Sequence, residues 1–192
     1  MKYLIIDTET GGLSPEIHSL LTVGFVVMDN EKIIDTTEFK IKHKNFVVTP
    51  EALNVNKINL LDLNEEISDV MNRMVYFLGR HFKENERIVL MGHNVSFDIG
   101  FIKKFWIENL DKSEFTTITK EKLKWEKRFS HHYVDTMQIA KFLVDCKKLP
   151  IKSVSLENLI DYFNLKAESR HTALEDAIMT GLSYCKLKEL VR

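Results

Sequence analysis

The stretch that most constrains this chain is Ile5-Ile6-Asp7-Thr8-Glu9-Thr10-Gly11-Gly12. The apolar run from Tyr3 to Ile6 reads as a buried first strand ending at Asp7, and two glycines, Gly11 and Gly12, punctuate the chain just beyond it. Side chains two positions apart on a strand point to the same face, so Asp7 and Glu9 are pressed together. Adjacent carboxylates repel unless something positive lies between them. A hard divalent cation with oxygen ligands is the simplest candidate. The competing reading is a frayed strand end with two solvated acids, and the stretch alone does not separate the two.

The later elements give the acids a setting. Leu20 to Met28 is rich in β-branched and aromatic residues and reads as a second strand; after the Asp29-Asn30 turn, Lys32 to Ile41 reads as a third. Their short connections imply an antiparallel meander. Thr49-Pro50-Glu51 opens a short helix, with Thr as cap and Pro at the first helical position. Ile67, Val70, Met71, Met74, Leu78 and Phe82 recur at helical spacing over Glu66 to Phe82. Arg87 to Met91 reads as a fourth strand, ended by Gly92. Phe101, Ile102, Phe105 and Trp106 then place Asp98 in the first turn of a helix leaving a strand end, where open α/β sheets keep their ligand crevice. Taken alone, Asp98 reads as an acid favoured by the helix dipole, and His93 as a structural histidine. Tyr133 to Thr136 reads as a short fifth strand and Met137 to Val144 as a helix. Ser155 caps a helix carrying Leu156, Leu159, Ile160 and Phe163. The last helix runs through Leu187, with Leu174, Ile178, Leu182 and Cys185 as its expected core stripe. His171 and Asp176 are five positions apart, about 140° around a regular helix, so they converge only if Asp176 is helical and His171 lies at the helix entrance.

A chain of 192 residues with 44% hydrophobic and 29% charged residues suits one domain over residues 1–192, with residues 110–132 set apart as an insertion or substrate-contacting segment. The net charge of −1 gives no global basic field, so a polyanion would be held by a local patch or through metal. Five basic residues (Lys120, Lys122, Lys124, Lys127, Arg128) flank Trp125 and Phe129. Such interleaving can track a phosphate backbone, but a solvated helix face with both rings turned inward is the preferred reading. His131-His132 has no third ligand at metal spacing. Cys146 and Cys185 form no C-x-x-C pair and fit a reducing, cytoplasmic compartment. Neither a secretory signal nor an apolar run of ~18 residues is expected.

Each signal is weak and their order is specific. Asp7-Thr8-Glu9-Thr10-Gly11-Gly12-Leu13, then Gly92-His93-Asn94-Val95-Ser96-Phe97-Asp98-Ile99-Gly100-Phe101, then His171-Thr172-Ala173-Leu174-Glu175-Asp176-Ala177 resemble the three motifs of the DEDDh family of 3′→5′ exonucleases, with Gly12 where Thr is frequent. The resemblance extends over nearly all of the chain, which is similar to the exonuclease domain of the DNA polymerase III ε subunit. It implies an RNase H-like three-layer α/β fold: a mixed five-stranded sheet, with strands 1–3 as an antiparallel meander plus parallel strands, flanked by helices. It implies two divalent cations, Mg²⁺ or Mn²⁺, on Asp7, Glu9, Asp98 and Asp176. Asp7 is expected to bridge the ions, with Glu9 and Asp176 on the first and Asp98 reaching the second, partly through water. His171 is the expected general base, suited to taking a proton near neutrality. Thr8 and Thr10 are expected at the 3′-terminal sugar, Leu13 and Phe97 at the terminal base, and His93 and Asn94 near the strand. The implied activity is stepwise hydrolysis of single-stranded nucleic acid from the 3′ end to nucleoside 5′-monophosphates. DNA, in proofreading or repair, is the expected substrate, with polymerase or replication proteins as partners and no membrane. The alternatives are an RNA-trimming or oligoribonucleotide exonuclease, a phosphoesterase of small substrates, and a non-catalytic nucleic-acid-binding module.

Overall fold

Five strands, β1 (Lys2–Thr10), β2 (Leu20–Asp29), β3 (Lys32–Lys40), β4 (Ile88–Gly92) and β5 (Phe129–Asp135), form one sheet in the order β3-β2-β1-β4-β5, in a computed structural model that describes residues 1–166 and 172–192. β1, β2 and β3 pair antiparallel, while β4 runs parallel to β1 and β5 parallel to β4. This is the mixed, RNase H-like sheet expected from the motifs.

β1 continues past Asp7, so both acids lie inside the strand rather than at its exit. Its pairing with β2 runs on through Asp7↔Gly24, Thr8↔Val23 and Glu9↔Thr22 before the register shifts between Glu9 and Thr10. Pairing with β4 covers only Leu4↔Leu90 and Ile5↔Met91. Beyond Ile5 one edge of β1 is therefore released, and a crevice opens beside Asp7 at the carboxyl ends of β1 and β4.

Alternation along β1 sorts the layers. Leu4 and Ile6 face a core shared with α2 (Ile67–His81) and α3 (Ser96–Asn109), through Met71, Met74, Leu78, Phe101 and Trp106. Ile5 faces the opposite layer with Val26, Met28, Met91 and Ala177 of α8 (Ala173–Glu189). Both faces of β2 are covered, which is why it reads as a nearly continuous apolar run. α6 (Thr136–Asp145) and α7 (Leu156–Tyr162) join α8 through Ala140, Leu143, Leu159 and Leu187. The expected stripe of α8 holds in part: Leu174, Ile178 and Cys185 pack against the core around Ile5 and Met28. Ala173, Ala177 and Gly181 are buried, whereas Leu174, Ile178, Leu182 and Cys185 are only partly buried. Small residues take the closest approach to the sheet, where Ala173 meets Gly24 and Gly181 meets Ile5 and Met28.

α1 (Pro50–Asn56) begins as expected, with Thr49 Oγ1 accepting from Ala52 N at 3.1 Å. β5 starts at Phe129, four residues before the expected Tyr133, because His131, His132 and Tyr133 are exposed on it and break the apolar pattern. Within 110–132, α4 (Thr117–Lys122) and α5 (Trp125–Arg128) close the end of the first core. Trp125 and Phe129 stack inside at 4.1 Å, as the preferred reading has it. Arg128 is buried and donates to the carbonyls of Leu78, Phe82, Lys83 and Glu86 at 2.7–3.3 Å, four acceptors at and just beyond the end of α2. Lys124 and Lys127 pair with Glu121, and Lys122 with Glu84. Among the described residues no helix is long and apolar enough to cross a membrane.

Candidate active site

β1 supplies Asp7 and Glu9 on the face covered by α8, whose first turn carries Asp176. Carboxylate oxygens of the three lie within 4.8 Å of one another. Asp98 approaches from α3 across the crevice and accepts from Thr8 Oγ1 at 2.7 Å. Thr8 points to the opposite face from Asp7, so Asp98 reaches the centre from the far side of β1 rather than joining the other three directly. α8 starts at Ala173, with Thr172 Oγ1 capping Glu175 N at 3.2 Å. This satisfies the helical half of the condition set by the His171–Asp176 spacing; His171 itself lies outside the described residues.

The electrostatics are those of a site built for positive charge. Burial pushes the Asp7 carboxyl well above its usual range, and Asp98, Asp176 and Glu9 push it further. Burial, then Asp176, Asp98 and Glu38, raise Glu9 to about 8. Asp98 is raised to about 7, again chiefly by burial, although the Thr8 hydroxyl opposes the shift. Proton retention near neutrality is how crowded carboxylates relieve repulsion when no cation does it for them. The donor set is oxygen only, spaced within the reach of one ion for three of its members, and fits Mg²⁺ or Mn²⁺.

Beside the acids lies a cleft of about 530 Å³ whose lining includes Thr8, Glu9, Thr10, Leu13, Val55 and Phe97, a volume in the range of small-ligand sites. Leu13 is 86% and Val55 74% exposed. Large apolar side chains left this bare on a cleft are unexplained by packing. Phe97 is partly buried against the core. Thr10 Oγ1 donates to the Gly12 carbonyl at 2.8 Å, which shapes the turn that presents Leu13. The His18 ring fills the space beside Gly12, where a Cβ would come 2.4 Å from His18 Cδ2.

His93 and Asn94 sit at the exit of β4. His93 Nδ1 lies 2.9 Å from Thr136 Oγ1, linking the exit of β4 to α6, and burial lowers its pKa. Asn94 is in the left-handed region at φ 61°, with its N–H donating to Asp135 Oδ1 at 3.1 Å. Sequence reasoning missed Val55, His18 and Glu38. Val55 offered the one local signal, an apolar residue near the end of a short helix with no core to face.

A family model described as an exonuclease (RNase T type) matches residues 4–183. The chain is similar to the PolC-type DNA polymerase III of Pediococcus pentosaceus, 29% identical over 191 residues covering 98% of this chain and 11% of the polymerase. For the Thermotoga maritima polymerase of the same name the figures are 24% over 192 residues, 99% and 12%. The chain thus spans about an eighth or less of the length of these relatives. Its fold is similar to the zinc-bound E. coli ExoI complex with single-stranded DNA, with a TM-score of 0.76 and 17% identity over 100% of this chain and 41% of that one. It is also similar to exonuclease X in complex with 5′ overhanging duplex DNA, with a TM-score of 0.62 and 18% identity over 97% and 91% of the two chains.

Proposed function

The chain belongs to this exonuclease family, and on that premise we propose that it is a divalent-metal-dependent 3′→5′ exonuclease acting on single-stranded DNA. The observation that carries the reading is the convergence of Asp7, Glu9 and Asp176 within 4.8 Å at the head of a nucleotide-sized cleft. Asp7, Glu9 and Asp176 would hold one ion, with Asp98 serving a second from across β1. Two such ions, when bound, supply the positive charge that lets a water attack an anionic phosphodiester and stabilises the leaving oxygen. His171, by its place in the third motif, takes the proton of that water at a ring nitrogen. Leu13, Val55 and Phe97 hold the terminal base between apolar walls. Thr8 and Thr10 face its sugar, and Asn94 and His93 stand near the strand. Confining the 3′ end in this cleft brings only the last phosphodiester to the carboxylates, which gives stepwise release of nucleoside 5′-monophosphates. The polymerase relatives and the DNA-bound neighbours support DNA as substrate and a setting in replication or repair.

The test is a time course with end-labelled DNA and RNA oligonucleotides, with Mg²⁺ or Mn²⁺ and with a chelator. The expected result is a ladder shortening from the 3′ end of DNA only when metal is present. Faster laddering of RNA would reassign the substrate, and intact oligonucleotides under all conditions would remove the nuclease reading.

A further inference from the structure

Asp176 is the only acid of the three-carboxylate cluster that does not come from β1, so the centre exists only if α8 lies at the right height above the sheet. We propose that Gly24 is a positioning residue for the metal centre: its missing side chain sets the depth at which the first turn of α8 rests, and through it the reach of Asp176. Gly24 pairs directly with Asp7, so a side chain there would project on the Asp7 face. A Cβ at residue 24 would come 2.3 Å from the Ala173 carbonyl oxygen, 2.5 Å from its carbon and 2.6 Å from Leu174 Cα. All three are backbone atoms of the first turn of α8 and cannot rotate aside. Asp176 sits in that same turn, hydrogen-bonded from its N–H to the Thr172 carbonyl at 3.0 Å, so lifting the turn lifts the carboxylate. Two turns on, Gly181 also lies close to the sheet, but there a Cβ would meet only Ile5 Cδ1 at 2.7 Å and Met28 Cε at 2.8 Å. Those are side-chain ends that can swing away. The two glycines are therefore not equivalent: one is a hard stop beneath a ligand and the other a soft contact remote from it.

The inference rests on the metal-site reading above, and its test separates the two. Mn²⁺ binding is measured calorimetrically without nucleic acid, together with Tm and with KM and kcat on a DNA oligonucleotide. Gly24→Ala is expected to weaken Mn²⁺ binding at least ~10-fold and to lower kcat more than it raises KM, since displacements near 1 Å at such centres cost on the order of 100-fold. Gly181→Ala is expected to lower Tm with the Mn²⁺ Kd unchanged within ~2-fold. Adding Asp176→Glu, one methylene longer, to Gly24→Ala is expected to recover part of the lost affinity, which a merely structural role for Gly24 would not produce. Should Gly24→Ala not fold, Gly24→Ala/Ala173→Gly, with a more yielding first turn, takes its place under the same criteria. A folded residue-24 variant with wild-type Mn²⁺ affinity, or no gain from Asp176→Glu, overturns the proposal. Absence of Mn²⁺ binding in the wild-type chain overturns the metal-site reading instead.

Discussion

Two charge-dense regions of this molecule behave oppositely. At the end of the first core, the cations of 120–128 are matched: Lys124 and Lys127 meet Glu121, Lys122 meets Glu84, and the buried Arg128 has four carbonyls around it. Glu121 is held down to about 2 by its two lysines. Across the sheet, Asp7, Glu9 and Asp98 all have raised pKa values because protein and other acids surround them. Charge that the fold itself balances is structural. Charge that the fold concentrates and leaves short of counter-charge points to a ligand from outside.

The contrast can be broken most forcefully at Asp7. Asp7→Asn should lower exonuclease turnover by more than ~100-fold, beyond the range typical of residues that only orient a metal ligand. It should also raise the Tm of the metal-free protein, since one member of a repelling cluster is gone. A loss of activity accompanied by a fall in metal-free Tm would argue that Asp7 is structural. Arg128→Ala tests the other region. It should destabilise the fold by about 2–4 kcal/mol in denaturant titration, because buried carbonyls lose a charged donor, while turnover per folded molecule stays unchanged.

A smaller effect concerns pH. Glu9 titrates at about 8 in the folded chain against 4.5 ordinarily, and Asp98 at about 7 against 3.8. Between the paired values the folded state binds more protons than the unfolded one, so stability falls as pH rises through that window. Metal-free protein should therefore melt lower at pH 8 than at pH 6, by roughly 3 °C or more, and Mg²⁺ should restore more at pH 8 than at pH 6. A flat metal-free profile would contradict the raised values. The smallest effect belongs to Lys124→Ala, whose exposed pair with Glu121 should leave both Tm and the salt dependence of DNA binding unchanged. A marked loss of DNA affinity there would restore the phosphate-tracking role that the paired geometry argues against.

Much of this was legible in the sequence. Period-2 and helical patterns placed the meander, α2 and the helix after Gly92, and three short motifs named the carboxylates. What escaped depends on partners distant in sequence. That β1 runs on through Thr10 is decided by its ladder with β2. The start of β5 was hidden because an edge strand can expose His131, His132 and Tyr133. The stripe of α8 was incomplete because large side chains are the usual sign of a core face, whereas here Gly24 and Gly181 bring helix and sheet so close that Ala173 and Ala177 share it with Leu174, Ile178 and Cys185. His18, on the loop between β1 and β2, and Val55, on α1, join the cleft only through long-range packing, and only Val55 carried a local hint, an apolar residue with no core to face. Arg128 looked like one more cation in a basic run until its burial set it apart.

Whether the acids form a cage for two divalent ions can be seen in a crystal grown with Mn²⁺ and a nucleoside 5′-monophosphate, by anomalous scattering. Two peaks roughly 3.5–4 Å apart are expected, one touching Asp7, Glu9 and Asp176 and the other toward Asp98. A map with no peak among these carboxylates would contradict the cage.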